Sequence, residues 1–277
     1  MKFRFTKMHG VDSDFVIVDT ITQAIFFSKE NIKKLADRRT GIGFEYLILV
    51  EPPYDPDIDF HYRIFNEKGE EVHFGLGCAG CVAQFVRAKG LSGKNNIPVS
   101  LANGNVNLSV EKDSTVVVDI GQPVFEPNLI PFKAKQAEKT YIVRADDYNV
   151  LCGVVSVCEP FCIIEENDLS RGRIDLIGKS LSHHERFSSQ TKFEFFKINS
   201  KNDIDLVTYN EDLDLHAINI FGVCAACAVG INQEKLNSNV TVHIGQKSLN
   251  ISWEGIGSSI IMKSYANHVY DGEMDIL

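Results

Sequence analysis

Two stretches of this sequence place the same kinds of residue in the same order. His73 precedes a turn, Gly75-Leu76-Gly77, that opens an apolar run holding Cys78 and Cys81; His216 precedes Asn219-Ile220-Phe221-Gly222 and a run holding Cys224 and Cys227. One imidazole from each copy could shuttle protons near neutral pH, where an unperturbed histidine titrates. The same histidines could equally lie on strands entering the turns and bond solvent or a backbone carbonyl. Near a helix N-terminus the Cys78 thiolate would be favoured by the helix dipole, which makes it a candidate nucleophile; small thiols are also among the most buried side chains, which makes it a candidate core residue. Four thiolates suit zinc, but the two pairs are distant in the chain and belong to helices in different cores, so no metal site is expected.

Both stretches read as a strand, a tight turn and an apolar helix, and helices that begin this way present unpaired N–H groups to a carboxylate or phosphate. The repetition predicts two half-chains built alike. Period-two alternation and turn residues place strands at Phe3–Met8, Phe15–Asp19, Tyr46–Val50, Asp57–Asn66, Val99–Leu101, Val106–Val110 and Val116–Ile120, with a helix capped by Ser28 over Lys29–Asp37. After the turn-rich segment Gly121–Asn128 the order recurs: strands near Tyr141–Arg144, Cys152–Val157 and Cys162–Ile164, a helix near Ile174–Leu181, then strands at Phe193–Ile198 and Ile204–Tyr209. Three more strands and a strand-like tail, His268–Ile276, follow the second helix. Many strands around one long helix per half indicate an α+β fold rather than a doubly wound one. The expected domains are 1–121, joined by a C-terminal strand at 266–277, and 122–265.

A chain of 277 residues suggests two cores. Its net charge of −9, from 37 acidic and 28 basic residues, argues against nucleic acid or an anionic membrane surface as a partner. There is no apolar run near about 18 residues and no leader-like start, so a cytoplasmic location is expected. An odd count of seven cysteines is read as reduced thiols.

The segments Lys7-Met8-His9-Gly10, Arg39-Thr40-Gly41-Ile42-Gly43-Phe44, Asp57–Asn66, Leu181–Phe187 and His268–Glu273 resemble the diaminopimelate epimerase family of cofactor-independent racemases. The resemblance implies two pseudo-symmetric domains with a cleft between them, no cofactor, and a cytoplasmic homodimer that binds a small amino-acid-like ligand. It also implies two catalytic cysteines, one per domain, acting as base and acid on opposite faces of a substrate carbon. Here Gly75 stands at the first cysteine position and Asn219 at the second. At the family's ligand positions Ser13 stands for an Asn, Tyr46 for a Gln, Glu159 for an Asn, Phe161 for a His and Lys192 for an Asn. Asn210 and Glu211 replace a Glu-Arg pair, and Asn66 is retained. Gly75, Leu76, Gly77, Asn219, Ile220 and Phe221 would line the two helix starts, with Ile220 and Phe221 adding bulk.

Glu211 and Glu159 would repel a dicarboxylate, so diaminopimelate is not the expected ligand. The expected function is binding of a small polar or amino-acid-like molecule with non-thiol isomerase, lyase or cyclase chemistry, with His73, His216, Glu159 and Cys78 as the catalytic candidates. The alternatives are an inactive paralogue acting as a binding or regulatory partner, and an epimerase that uses a displaced Cys78.

Overall fold

The computed structural model describes every residue except 1, 11–12, 73–75, 103, 114, 146–147, 210–218 and 277. In chain order the elements are β1 (Lys2–Gly10), β2 (Ser13–Asp19), α1 (Lys29–Ala36), β3 (Tyr46–Glu51), β4 (Phe60–Asn66), β5 (Glu71–Val72), a 3-10 turn (Leu76–Cys78) leading into α2 (Ala79–Ala88), β6 (Asn96–Leu101), β7 (Gly104–Val110) and β8 (Val116–Gly121). There follow β9 (Tyr141–Ala145), β10 (Tyr148–Val157), β11 (Glu159–Glu165), α3 (Arg171–Ser182), β12 (Lys192–Ser200), β13 (Asp203–Tyr209), α4 (Ile220–Asn232), β14 (Asn239–Ile244), β15 (Lys247–Ser252), β16 (Ile260–Ser264) and β17 (Asn267–Asp275). The chain divides into two compact units, Met1–Asp119 with Lys263–Leu277, and Ile120–Met262.

In unit 1, β1 pairs antiparallel with β2, β2 parallel with β3, β3 antiparallel with β4, β4 parallel with β6, and β6 antiparallel with β7, which pairs antiparallel with β8. Unit 2 repeats these senses in the same order through β10, β11, β12, β13, β14, β15 and β16. The outer neighbour of β1 is β17, and that of β10 is β9. Each unit is therefore an α+β body, and the two are pseudo-symmetric in topology.

Side chains that alternate along the central strands serve two helices in each unit. On one face of unit 1, Val16, Val18, Leu47 and Leu49 pack with Ile32 and Leu35 of α1. The same face of unit 2 joins Cys162, Ile164, Phe193 and Phe195 to Ile174, Ile177 and Leu181 of α3. Burial of each large aliphatic or aromatic side chain is worth roughly 1.5–3 kcal/mol. Ser28 caps α1 by accepting from the Asn31 N–H at 3.2 Å, and Asn31 Oδ1 accepts from the Ser28 N–H at 3.1 Å, a reciprocal capping box.

The opposite faces support α2 and α4. The 3-10 turn and α2 have 3 and 10 residues, and α4 has 13, so the two helical runs are equal in length. They also end alike. The N–H of Leu91 bonds Val86 O, as that of Lys235 bonds Gly230 O, and the left-handed residue between helix and bond is Gly90 (φ 69°) in one and Glu234 (φ 62°) in the other.

Strand β4 begins at Phe60 rather than at the expected Asp57, because the Asp55 carboxylate accepts from the Asp57 N–H at 2.9 Å and holds that segment in a turn. No helix among the described residues is long and apolar enough to cross a membrane.

Candidate functional site

Three polar side chains of unit 2 meet at the start of α4. Asn219 sits in extended backbone as the N-cap, and its Oδ1 accepts from the Phe221 N–H at 3.1 Å, satisfying one of the helix's orphan donors. With Oδ1 so engaged, Nδ2 turns away from the helix and donates to Glu159 Oε2 at 3.1 Å. Both Glu159 oxygens also accept from Lys192 Nζ, at 2.7 and 2.6 Å. Strand register brings the pair together: β11 and β12 run parallel with Phe161 beside Lys192, two residues after Glu159 opens β11. The side chains are 38% and 18% exposed, so the ion pair contributes about 1 kcal/mol at most.

Two residues along β12 and on the same face lies Glu194, which is fully buried. Thr208 Oγ1 donates to its Oε2 at 2.7 Å, while Oε1 has no hydrogen-bond partner among the described residues. Burial pushes this carboxyl up to about 8, against the pull of the Thr208 hydroxyl and the Lys192 charge, and the Glu159 charge adds to the rise. At neutral pH Glu194 is a neutral acid, able to give a proton rather than take one. Gly222, in the first turn of α4, leaves it room: a Cβ there would stand 2.2 Å from Glu194 Oε1.

The thiols are arranged differently. Cys78 is buried, makes no side-chain cap bond to α2, and has its pKa driven well above the thiol range, by burial first and by Cys81 second. A nucleophile must ionise, so the expectation of a displaced nucleophile at Cys78 gives way to a core residue. Burial also pushes Cys81 up to about 12 and raises Cys162, Cys224 and Cys227. Cys158, between β10 and β11 at φ 58°, is the exposed one. The surroundings of its sulfur still push the thiol up to about 11, by burial and then by the Glu159 charge. Among the described residues no three His, Cys, Asp or Glu side chains gather as a metal-donor group.

Of the residues nominated by the sequence, the structure brings Glu159, Lys192 and Asn219 together. Ile220 and Phe221 follow Asn219 but are buried, as is Phe161. In unit 1, Tyr46 stacks on Phe15 with ring centroids 6.0 Å apart and lies opposite Asn66 in the β3–β4 ladder. Ser13 opens β2 opposite Gly10. Asn66 is occupied in holding a turn, its Oδ1 accepting from the N–H groups of Lys68 and Glu70 at 3.0 and 2.9 Å. Leu76 and Gly77 form the backbone of the 3-10 turn ahead of α2. His73, Gly75, Asn210, Glu211 and His216 lie outside the described residues. Glu194 and Gly222 had not been singled out as site residues. A lone carboxylate within Phe193-Glu194-Phe195-Phe196 was the available signal, because a charged group in an apolar strand needs a reason.

Comparison with known proteins agrees with this architecture. Residues 5–126 match the family model described as diaminopimelate epimerase. A methylitaconate-delta-isomerase structure is similar with a TM-score of 0.67 at 9% identity, over 99% of this chain and 95% of that one. A hydroxyproline epimerase from Agrobacterium vitis, solved with bound trans-4-hydroxy-L-proline, gives 0.61 at 9% identity over 98% and 92%. A phenazine biosynthesis protein of the PhzF family from Bacillus anthracis gives 0.56 at 12% identity over 100% of both chains. At such identities the likeness is one of fold.

Proposed function

We propose that this chain, which has the diaminopimelate epimerase-like fold, binds a small polar or amino-acid-like ligand at the start of α4 and acts on it by isomerase, lyase or cyclase chemistry without thiols. The observation that carries the reading is the Glu159–Lys192–Asn219 cluster with neutral Glu194 behind it, where a thiol mechanism would need an ionisable cysteine. Glu159, held by Lys192 and Asn219, is the acceptor for an ammonium or hydroxyl of the ligand. Glu194 is the acid held in reserve. His73 and His216 are included as proton carriers on their spacing alone. A homodimer resident in the cytoplasm, without a cofactor, belongs to the same proposal and rests on the family resemblance.

Similar folds that carry the names of an epimerase and of an isomerase support isomerase chemistry as the reaction class. Incubation in D₂O with diaminopimelate, glutamate and lysine, followed by mass spectrometry, is the test. No deuterium enters diaminopimelate above the enzyme-free rate; uptake into it would overturn the proposal. The second reading, a binding protein without turnover, is favoured by the way Lys192, Glu159 and Asn219 already satisfy one another. It predicts a molecule retained through purification and recovered chemically unchanged after incubation.

A further inference from the structure

We infer that Glu159 is a built-in carboxylate, seated where a ligand's carboxylate would otherwise bind, and that it reserves this end of the site for ligands presenting an ammonium, a hydroxyl or no charge at all. The inference rests on the proposed ligand site at the start of α4.

Two donor groups make three hydrogen bonds to one carboxylate. Lys192 Nζ reaches both oxygens of Glu159, and Asn219 Nδ2 reaches Oε2 as well. That is the coordination of a bound free carboxylate, supplied here from within the chain. The Asn219 donor cannot easily turn away, since its Oδ1 is committed to the Phe221 N–H. The helix behind it is 13 residues long, and its N-terminal partial positive charge reinforces the preference for an anion.

The fold itself does not require the pair. Counting along the parallel ladders from Phe15↔Tyr46 and Phe161↔Lys192, the residues of unit 1 that match Glu159 and Lys192 are Ser13 and Tyr46, neither of them charged. Unit 2 thus carries one positive and one negative group at a place where the same topology in unit 1 manages without either.

Charge then decides what can enter. Lys192 is balanced by Glu159, and Glu194 sits buried on the same face. An incoming carboxylate would face Glu159 directly and would have to expel it from a site where its side chain is only 18% exposed. An incoming ammonium or hydroxyl meets an acceptor already held in position.

Titration of the intact protein with ¹³C-acetate at pH 6.5, followed by NMR, tests the assignment. The variants are Glu159→Ala, Glu159→Ser, which copies Ser13 and serves if the alanine form does not fold, and Glu159→Ala/Glu194→Gln, in which Glu194 cannot take over Lys192. At least one of these binds acetate tenfold or more tighter than the parent protein, and adding Lys192→Met abolishes the gain. Acetate affinity unchanged in all three overturns the inference, as does a gain that survives Lys192→Met. The titration needs no turnover. Absence of any reaction therefore removes the catalytic reading alone, and unchanged acetate affinity removes this one alone.

Discussion

The starts of α2 and α4 are the same piece of architecture with different interiors. Counting along the ladders, Ile48 opposite Ile64 in unit 1 corresponds to Glu194 opposite Thr208 in unit 2. Ile48, Ile64 and Cys78 are all buried, so the first helix begins over an apolar floor. The second begins over a buried carboxyl and a hydroxyl, with Gly222 at the helix position that Cys78 holds in the first. Equal helix lengths and matching C-terminal caps show that the two units keep the same helix frame, while a few positions beneath the helix set the polarity of its floor. The polar floor has an energetic cost, because one buried oxygen has no partner among the described residues, and a buried oxygen left unpaired costs about 1–3 kcal/mol. Natural proteins tend to carry such a cost where function needs it.

The largest test of the comparison is pH. In the unfolded chain Glu194 ionises near 4.5, whereas the folded protein keeps its proton to about 8. The folded state binds the proton more tightly, so stability present below 4.5 is lost as pH rises through 8, with a ceiling of about 5 kcal/mol for this group. Glu194→Gln removes that slope: its urea midpoint matches the parent near pH 4.5 and exceeds it at pH 8. Identical pH profiles would mean that Glu194 is no different from Ile48 in its effect on stability.

A smaller effect comes from Gly222→Ala, which sets a methyl group 2.2 Å from a buried carboxyl oxygen. The expected loss is about 2–3 kcal/mol by denaturant unfolding, in the range of core overpacking. Combining it with Glu194→Val, which takes away the colliding carboxyl, recovers more than half of the loss. Failure of the rescue would show that Gly222 answers to the helix backbone and not to Glu194.

The smallest effect separates the two helix ends. Gly90→Ala meets no atom within 4 Å but places a side chain at φ 69°, at a cost of about 1 kcal/mol. Glu234→Gly relieves the corresponding strain at φ 62°, and its gain stays below about 1 kcal/mol because glycine loosens the unfolded chain and the exposed Lys139 pair is given up. Thermal midpoints of the two variants should move in opposite directions.

Much of the architecture was legible because it is written locally. Short apolar runs marked β2, β3, β12 and β13 within a residue or two, and Ser28 announced α1. The repeated turn and Cys-x-x-Cys run gave both central helices. Within the site, Glu159, Lys192 and Asn219 were found as positions but not as a cluster, since 33 residues separate the ion pair and a parallel ladder brings it together. Cys78 was read both as a core residue and as a nucleophile, and its burial agrees with the first. Glu194 was passed over as one residue of a strand.

The sequence by itself determined the element order and the internal repeat, because each is a matter of residue type and short-range spacing. Tertiary structure alone decided which carboxylate keeps its proton, which is held by a lysine, and which thiols are sealed away. Those outcomes depend on burial and on neighbours contributed by distant strands, and the electrostatic energy of a charge is set by what surrounds it in space.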